Sequence, residues 1–323
     1  MGRGGSVASW SVAATDRPAD AVSVTATAGP TDSTVADVGA RPRPASAAIA
    51  AADGYRIIDE LGRGGMGRVL RAEDQRLGRE VAVKQLVSET AAARARFERE
   101  ARITARLQHP AIVPVYEARL DAGGAPFYAM KLVTGRTLAE MIRSTRTLTD
   151  RMALLRHVVA VADAMAYAHS RRVIHRDLKA SNVVVGEFAE TIVIDWGLAK
   201  DLSSGDDPVS AEHGAPRGSE ELTVDGAIMG TPAYMPPEQA EGEPVDERAD
   251  VYALGVMLYH LIAGEMPYAG ASSADVLAAV LAGPPRPLLE RVPAAPRDLA
   301  AIVAKAMARA PADRYPSALE LAR

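Results

Sequence analysis

The sequence predicts an α+β protein of two unequal lobes, a small sheet-rich one followed by a larger, mainly helical one. Three observations lead there. Between residues 55 and 133, short apolar segments are bounded by glycine and polar turns, the pattern of strands. Beyond residue 135 the apolar residues recur at helical spacing. With 48% hydrophobic and 24% charged residues, 323 residues are enough to bury a sizeable core.

Residues 1–53 are mostly Ala, Ser, Thr, Val, Gly and Pro with Trp10 as the sole aromatic, and they read as a disordered tail. Tyr55-Arg56-Ile57-Ile58-Asp59-Glu60-Leu61 is a strand pattern that runs into glycines, and 67–72 and 80–86 follow as further strands. A helix is predicted over 90–107. Phe97, Ala101, Ile103 and Leu107 share its buried face, and it stops before His109-Pro110. Apolar strands at 113–116 and 127–133 complete the front part, and Gly135 marks a hinge. Helices are predicted over 138–143, 150–169, 249–263, 273–282 and 296–310. The polar stretch 201–222 reads as a mobile loop, and no internal repeat is visible.

The bulk numbers exclude several function classes. A net charge of −4 and a pI of 5.9 provide no basic field, so nucleic acid is not an expected partner. The absence of cysteine excludes disulfides, thiolate zinc sites and a cysteine nucleophile, and fits the cytoplasm. No apolar run reaches the ~20 residues of a membrane-spanning helix. The longest, 251–264, contains His260 and reads as a buried core helix. No apolar h-region is present near the start, so no secretory signal is expected. Met1-Gly2-Arg3-Gly4-Gly5-Ser6 matches the loose myristoylation pattern, which arises often by chance, and no lipid is expected. Only five of the 37 basic residues are lysines, at 84, 131, 179, 200 and 305. A lysine that persists among so many arginines marks a place for a compact ammonium that a guanidinium fork cannot imitate. The Ala and Arg richness points to a GC-rich bacterial genome.

Gly62, Gly64 and Gly67 give G-x-G-x-x-G after a predicted strand, with Val69 two positions later. Glycine lets backbone amides approach phosphate oxygens. The same spacing opens dinucleotide-binding folds, but here strand residues follow where a helix should start. Arg76 and Arg79 also stand where a ribose-binding acid belongs. On the next strand Val81-Ala82-Val83-Lys84 ends in one of the five lysines. A strand-edge lysine ordinarily points at solvent, yet its register with the glycine loop aims this one at the same phosphates. Glu100 on the following helix is placed to reach back to it.

The deciding run is His175-Arg176-Asp177-Leu178-Lys179-Ala180-Ser181-Asn182, followed by Asp195-Trp196-Gly197. With the glycine loop and Val81-Ala82-Val83-Lys84 in the same order, the sequence resembles protein kinases, in particular the bacterial eukaryotic-like (Hanks-type) serine/threonine branch. The resemblance runs from about Tyr55 to the last residue. It implies the two-lobed protein kinase fold: a small antiparallel β-sheet lobe with one helix over 54–134, and a helical lobe over 135–323. It also implies a non-specific protein serine/threonine kinase that uses ATP and Mg2+, two ions, with Mn2+ as an alternative. The implied partners are proteins that present Ser or Thr.

The resemblance also assigns residues. Asp177 takes the hydrogen of the substrate hydroxyl, and Lys179 neutralises the transferring phosphoryl group. Lys179, two residues after Asp177, is the serine/threonine form of this loop, and Thr231 in Gly230-Thr231-Pro232, which bridges the two, agrees with it. Asn182 and Asp195 ligate the metal. Gly62, Gly64 and Gly67 cover the phosphates, and Lys84, held by Glu100, clamps them. Leu61, Val69, Ala82 and Val184 sandwich adenine. The backbone of Lys131 and Val133 bonds its edge, and Met130 is the gatekeeper. Glu238 and Arg314 are expected as a buried ion pair, and Asp250 as a brace for the backbone of His175 and Arg176. Arg176 suits control by phosphorylation, with Thr223 as the expected autophosphorylation site and Ser203, Ser204, Ser210 and Ser219 as lesser ones.

Three positions depart from the pattern. Trp196 replaces phenylalanine and brings an N–H that needs a partner, which puts the flipped inactive state of other kinases in doubt. Thr104 stands where the family places an aliphatic spine residue, and Pro236 replaces alanine. Two rival readings are a scaffolding pseudokinase and a kinase for small molecules. Every catalytic group is present, against the first, and the Thr231 and Pro237-Glu238 segments argue against the second.

Overall fold

A computed structural model describes residues 54–64, 67–88, 90–121, 123–203, 223–224, 227–228 and 231–323. The expected tail over 1–53, its lipidation pattern, and Ser204, Ser210 and Ser219 lie outside the described residues. Thr223 falls in a two-residue strand paired with Ala227–Ile228.

Five strands, β1 (Tyr55–Arg63), β2 (Gly67–Asp74), β3 (Arg79–Leu86), β4 (Val115–Leu120) and β5 (Pro126–Lys131), form one antiparallel sheet in the order β1-β2-β3-β5-β4. Alternation along β3 divides its side chains. Val81 and Val83 join Tyr55, Leu70 and Phe127 in one apolar layer, whereas Ala82 and Lys84 face the opposite way into a cleft. Gly67 is required by close approach: a Cβ there would stand 2.4 Å from the Gln85 carbonyl oxygen. The expected strand over 113–116 begins later, at Val115. Pro114 has no N–H to give a ladder, and its carbonyl accepts from Lys131 instead (3.1 Å).

Helix α1 (Ala91–Arg106) starts on Thr90, whose hydroxyl accepts the Ala93 N–H at 3.2 Å. It lays Phe97 and Ala101 against Leu86 and Tyr128 of the sheet. Beyond Gly135 the helices Leu138–Ser144, Leu148–Met152, Leu155–Ser170, Arg248–Ala263, Ser273–Ala282, Arg297–Ala306 and Ala318–Ala322 share one core that includes Met165, Leu254, Ile262 and Trp196. Gly135 has φ +147°, and a Cβ would meet the Val185 carbonyl oxygen at 2.2 Å, so the chain crosses between the two parts on a residue without a side chain.

The helix expected over 150–169 is two helices. It opens earlier, on a capping box between Thr147 and Asp150. It then breaks at Ala153 and Leu154, where the Leu154 N–H bonds to the Arg151 carbonyl three residues back and tightens the turn. The helix expected over 296–310 stops at Ala306, where Met307 leaves helical geometry (φ −93°, ψ 15°) and the Ala308 N–H bonds to the Lys305 carbonyl three residues back (3.2 Å). The apolar run 251–264 lies in helix Arg248–Ala263, buried along almost its whole length. Its His260 accepts or donates through Nδ1 to the Tyr234 hydroxyl (3.0 Å), and burial, with Arg143 nearby, pushes its pKa down to about 4. Among the described residues no helix is long and apolar enough to cross a membrane.

Candidate active site

A cleft between the sheet and the helical part collects every residue expected to hold nucleotide or metal. Leu61, Gly62, Gly64, Gly67, Val69, Ala82 and Lys84 come from β1 to β3, and Glu100 from α1. Met130 and Lys131 end β5 and Val133 lies on the segment just after it, and Asn182, Val184 and Asp195 come from beneath. The lower set rides on a small sheet that joins Arg136–Thr137, Val183–Val185 and Thr191–Val193. Asp177, Lys179 and Thr231 stand outside this lining and form a cluster beside it.

At the roof, the Lys84 ammonium lies 2.5 Å from Glu100 Oε1 and 3.7 Å from Asp195 Oδ1. Burial works against the charge, but Glu100 and Asp195 outweigh it and hold the Lys84 pKa above its ordinary value. On Asp195 burial likewise acts upward, while Lys84, His175, Lys179 and the Gly197 N–H pull harder and leave the carboxyl below the usual range. It is therefore an anionic oxygen donor at neutral pH. Asp195 has φ +62°, a left-handed geometry that aspartate tolerates better than most side chains. Asn182 spends its Nδ2 on the Asp177 carbonyl (3.0 Å), which leaves its amide oxygen as the second hard donor for a divalent cation.

At the floor, Lys179 Nζ donates to Asp177 Oδ2 (2.8 Å) and to Thr231 Oγ1 (2.8 Å), and the Thr231 N–H donates to Asp177 Oδ1 (3.1 Å). The three residues, 52 and 54 positions apart in the two long contacts, close a ring that orients both carboxylate oxygens. Beneath them Asp250 accepts the backbone N–H of His175 (2.8 Å) and Arg176 (3.0 Å) and pairs with His169 Nε2 (2.8 Å), the brace expected of it. Burial pushes Asp250 up, yet the His169 contact, the His169 and His175 charges and the His175 N–H hold its pKa below 3.8. The unfolded chain takes up this proton at higher pH than the folded one. The stability it lends is therefore complete above about pH 5 and fades as pH falls through the native pKa. Asp250→Asn is expected to flatten the acid limb of a denaturation-versus-pH series below about pH 5, and to cost roughly 1–3 kcal/mol at neutral pH. An unchanged acid limb would show that Asp250 carries none of it.

A protein kinase domain model matches residues 55–322. The chain belongs to the protein kinase family. The kinase domain is of the bacterial Hanks type. It is 38% identical over 232 residues to the serine/threonine-protein kinase PknD of Protochlamydia amoebophila, covering 67% of this chain and 24% of that relative. It is 37% identical over 276 residues to the serine/threonine-protein kinase PknB of Mycobacterium tuberculosis, covering 83% of this chain and 42% of that one. The chain thus spans less than half the length of these relatives. Kinases of this family use ATP and a divalent metal, and the two relatives act, by name, on serine and threonine in proteins.

Several lining residues escaped the sequence reading: Val113, Tyr128, Leu132, Ser181 and Ile194. Tyr128 had a legible signal, since it precedes Met130 by two on a strand and so shares its face. Trp196 is fully buried against His175, ring centroids 4.7 Å apart, and its indole N–H has no acceptor among the described residues. Thr104 turns its hydroxyl to the Glu100 carbonyl (2.8 Å). Glu238 and Arg314 form the expected buried pair.

Proposed function

We propose that this chain transfers the γ-phosphate of ATP to serine and threonine hydroxyls of proteins, with magnesium as the metal. The single observation that carries the reading is the ring of Asp177, Lys179 and Thr231 beside a cleft that holds Lys84, Glu100, Asn182 and Asp195. Phosphoryl transfer asks mainly for positioning and charge stabilisation. Asp177 accepts the hydroxyl hydrogen as that oxygen bonds to phosphorus and the bond to the ADP oxygen breaks. Lys179 lies against the charge on the group in transit, and Lys84, steadied by Glu100, holds the phosphates that stay. The Lys131 N–H is committed to Pro114, which leaves its carbonyl and the Val133 backbone for the adenine edge.

Asn182 and Asp195 would hold two magnesium ions, which when bound draw the phosphates together and offset their charge. Among the described residues no three His, Cys, Asp or Glu side chains form a protein-only cage. Magnesium needs none, because it binds through one or two carboxylates plus phosphate and water. The reading also takes 54–134 and 135–323 as the two lobes, 1–53 as a tail, the cytoplasm as the working compartment, and Thr223 as a site of self-phosphorylation.

Incubation with radiolabelled ATP, magnesium and a generic basic protein is expected to label both proteins on serine and threonine, with Thr223 among the mapped sites. Lys84→Met is expected to lose the label. A wild-type protein that leaves both unlabelled, or labels a small alcohol instead, overturns the assignment.

A further inference from the structure

We propose that Tyr128 is a positioning residue that holds Glu100, and with it α1, in the arrangement where Lys84 faces the nucleotide. The inference deepens the kinase reading and rests on it for its catalytic consequence.

The register of the sheet sets Tyr128 opposite Lys84. Both side chains converge on one atom: Glu100 Oε1 receives the Lys84 ammonium at 2.5 Å and the Tyr128 hydroxyl at 2.7 Å. Glu100 Oε2 is buried with no hydrogen-bond partner among the described residues, so Oε1 carries the side-chain bonds that locate the carboxylate. Tyr128 is itself 3% exposed and its ring packs on Phe97 of α1, centroids 5.3 Å apart.

The two donors differ in what a nucleotide does to them. Lys84 must share its ammonium among Glu100, Asp195 and the phosphates, and each new acceptor weakens its hold on Glu100. The phenol has one hydrogen, one acceptor and no phosphate within its role. Burial, then the Glu100 charge, raise its pKa well above 10, so it remains a donor across the working range. A buried carboxylate that loses donors is costly. Tyr128 keeps one in place when the lysine turns toward its ligand.

This chain also has reason to need such a tie. Of the six buried residues of α1, Ala93, Phe97, Glu100, Ala101, Ile103 and Thr104, only Phe97 and Ile103 are large and apolar. Thr104, one turn beyond Glu100, spends its hydroxyl within the helix and brings less apolar area than the aliphatic residue the family pattern has there. A helix with few apolar anchors opens locally at low cost. A polar contact at Glu100 then decides where it sits.

The test compares wild type and Tyr128→Phe in the full chain, a change that keeps the ring against Phe97 and removes only the hydroxyl. Amide hydrogen exchange is read over 91–106, with 248–263 as the internal control, beside kcat and KM for ATP. Loss of a hydrogen bond to a charged group predicts exchange over 91–106 faster by roughly tenfold and kcat lower by roughly tenfold. The KM for ATP is expected to change less than about threefold, and 248–263 to stay protected. In an active enzyme, exchange or kcat within about twofold of wild type overturns the proposal, as does a change confined to KM. If the wild type transfers no phosphate, the activity assignment is what fails, and exchange over 91–106 alone decides the role of Tyr128.

Discussion

Asp177→Asn is expected to lower kcat for protein phosphorylation by about 10³-fold while the Kd for ATP stays within about twofold. Both Asp177 oxygens are spoken for: Oδ2 by Lys179 at 2.8 Å and Oδ1 by the Thr231 N–H at 3.1 Å. An asparagine of the same shape can offer an oxygen to only one of these donors and turns an N–H toward the other. It also removes the negative charge that draws the substrate hydrogen and balances Lys179. Because Asp177 lies outside the lining of the nucleotide cleft, ATP affinity has no reason to fall with it. Steady-state rates paired with calorimetric ATP titrations check both halves. A variant that retains a tenth of the rate would show that Asp177 neither orients nor deprotonates the substrate.

Arg314→Met is expected to be the most destabilising of these changes, at about 3–5 kcal/mol, or a thermal midpoint lower by roughly 10 °C for a domain of this size. Arg314 is 3% exposed, and its five N–H donors meet five acceptors. Two go to Glu238 as a fork, at 2.6 and 2.7 Å, and three to the carbonyls of Ala308 (2.7 Å), Arg248 (3.1 Å) and Arg309 (2.9 Å). The guanidinium also lies over the Tyr252 ring at 4.9 Å. Methionine fills much of the volume but strands the Glu238 carboxylate and the Ala308 and Arg309 carbonyls without donors, while the Arg248 carbonyl keeps its place in the helix Arg248–Ala263. Arg314→Lys should recover little, since an ammonium has three donors and no plane. The loss should reach catalysis as well. Glu238 lies in the first turn of the short helix Pro237–Ala240, and its neighbour Gln239 donates to the Arg176 carbonyl at 3.0 Å, next to Asp177. Differential scanning fluorimetry of both variants decides, and a midpoint within about 2 °C of wild type for Arg314→Met would remove the pair from the account of stability.

The legible part of the site was the part written in short runs. Asp177, Lys179 and Asn182 fall within six consecutive residues, and the glycines and Lys84 lie on adjacent strands of one meander, so local order carried their relation. The face of Tyr128 was legible from Met130, but its contact was not, because nothing near it in the chain names its partner. Its significance comes from Glu100, 28 positions away on a helix whose angle to the sheet no spacing reveals. The helix over 150–169 was read as one because its apolar period continues through Ala153 and Leu154. The break is a change of hydrogen-bond register, which leaves no mark on hydrophobicity. The end at 306 is likewise a change of hydrogen-bond register, whereas the start at 115 is written locally, since Pro114 has no N–H to give a ladder.

By itself the sequence determined the succession of a strand-rich part and a helical part, the family, and the identities of the groups that line the cleft, because residue type and short spacing encode these directly. The tertiary structure alone decided that Lys84 and Tyr128 share one carboxylate oxygen, that Arg314 finds five acceptors, and that the indole of Trp196 finds none among the described residues. Such contacts depend on how whole elements pack against each other. That packing is a sum over many weak interactions, and no single stretch of residues contains it.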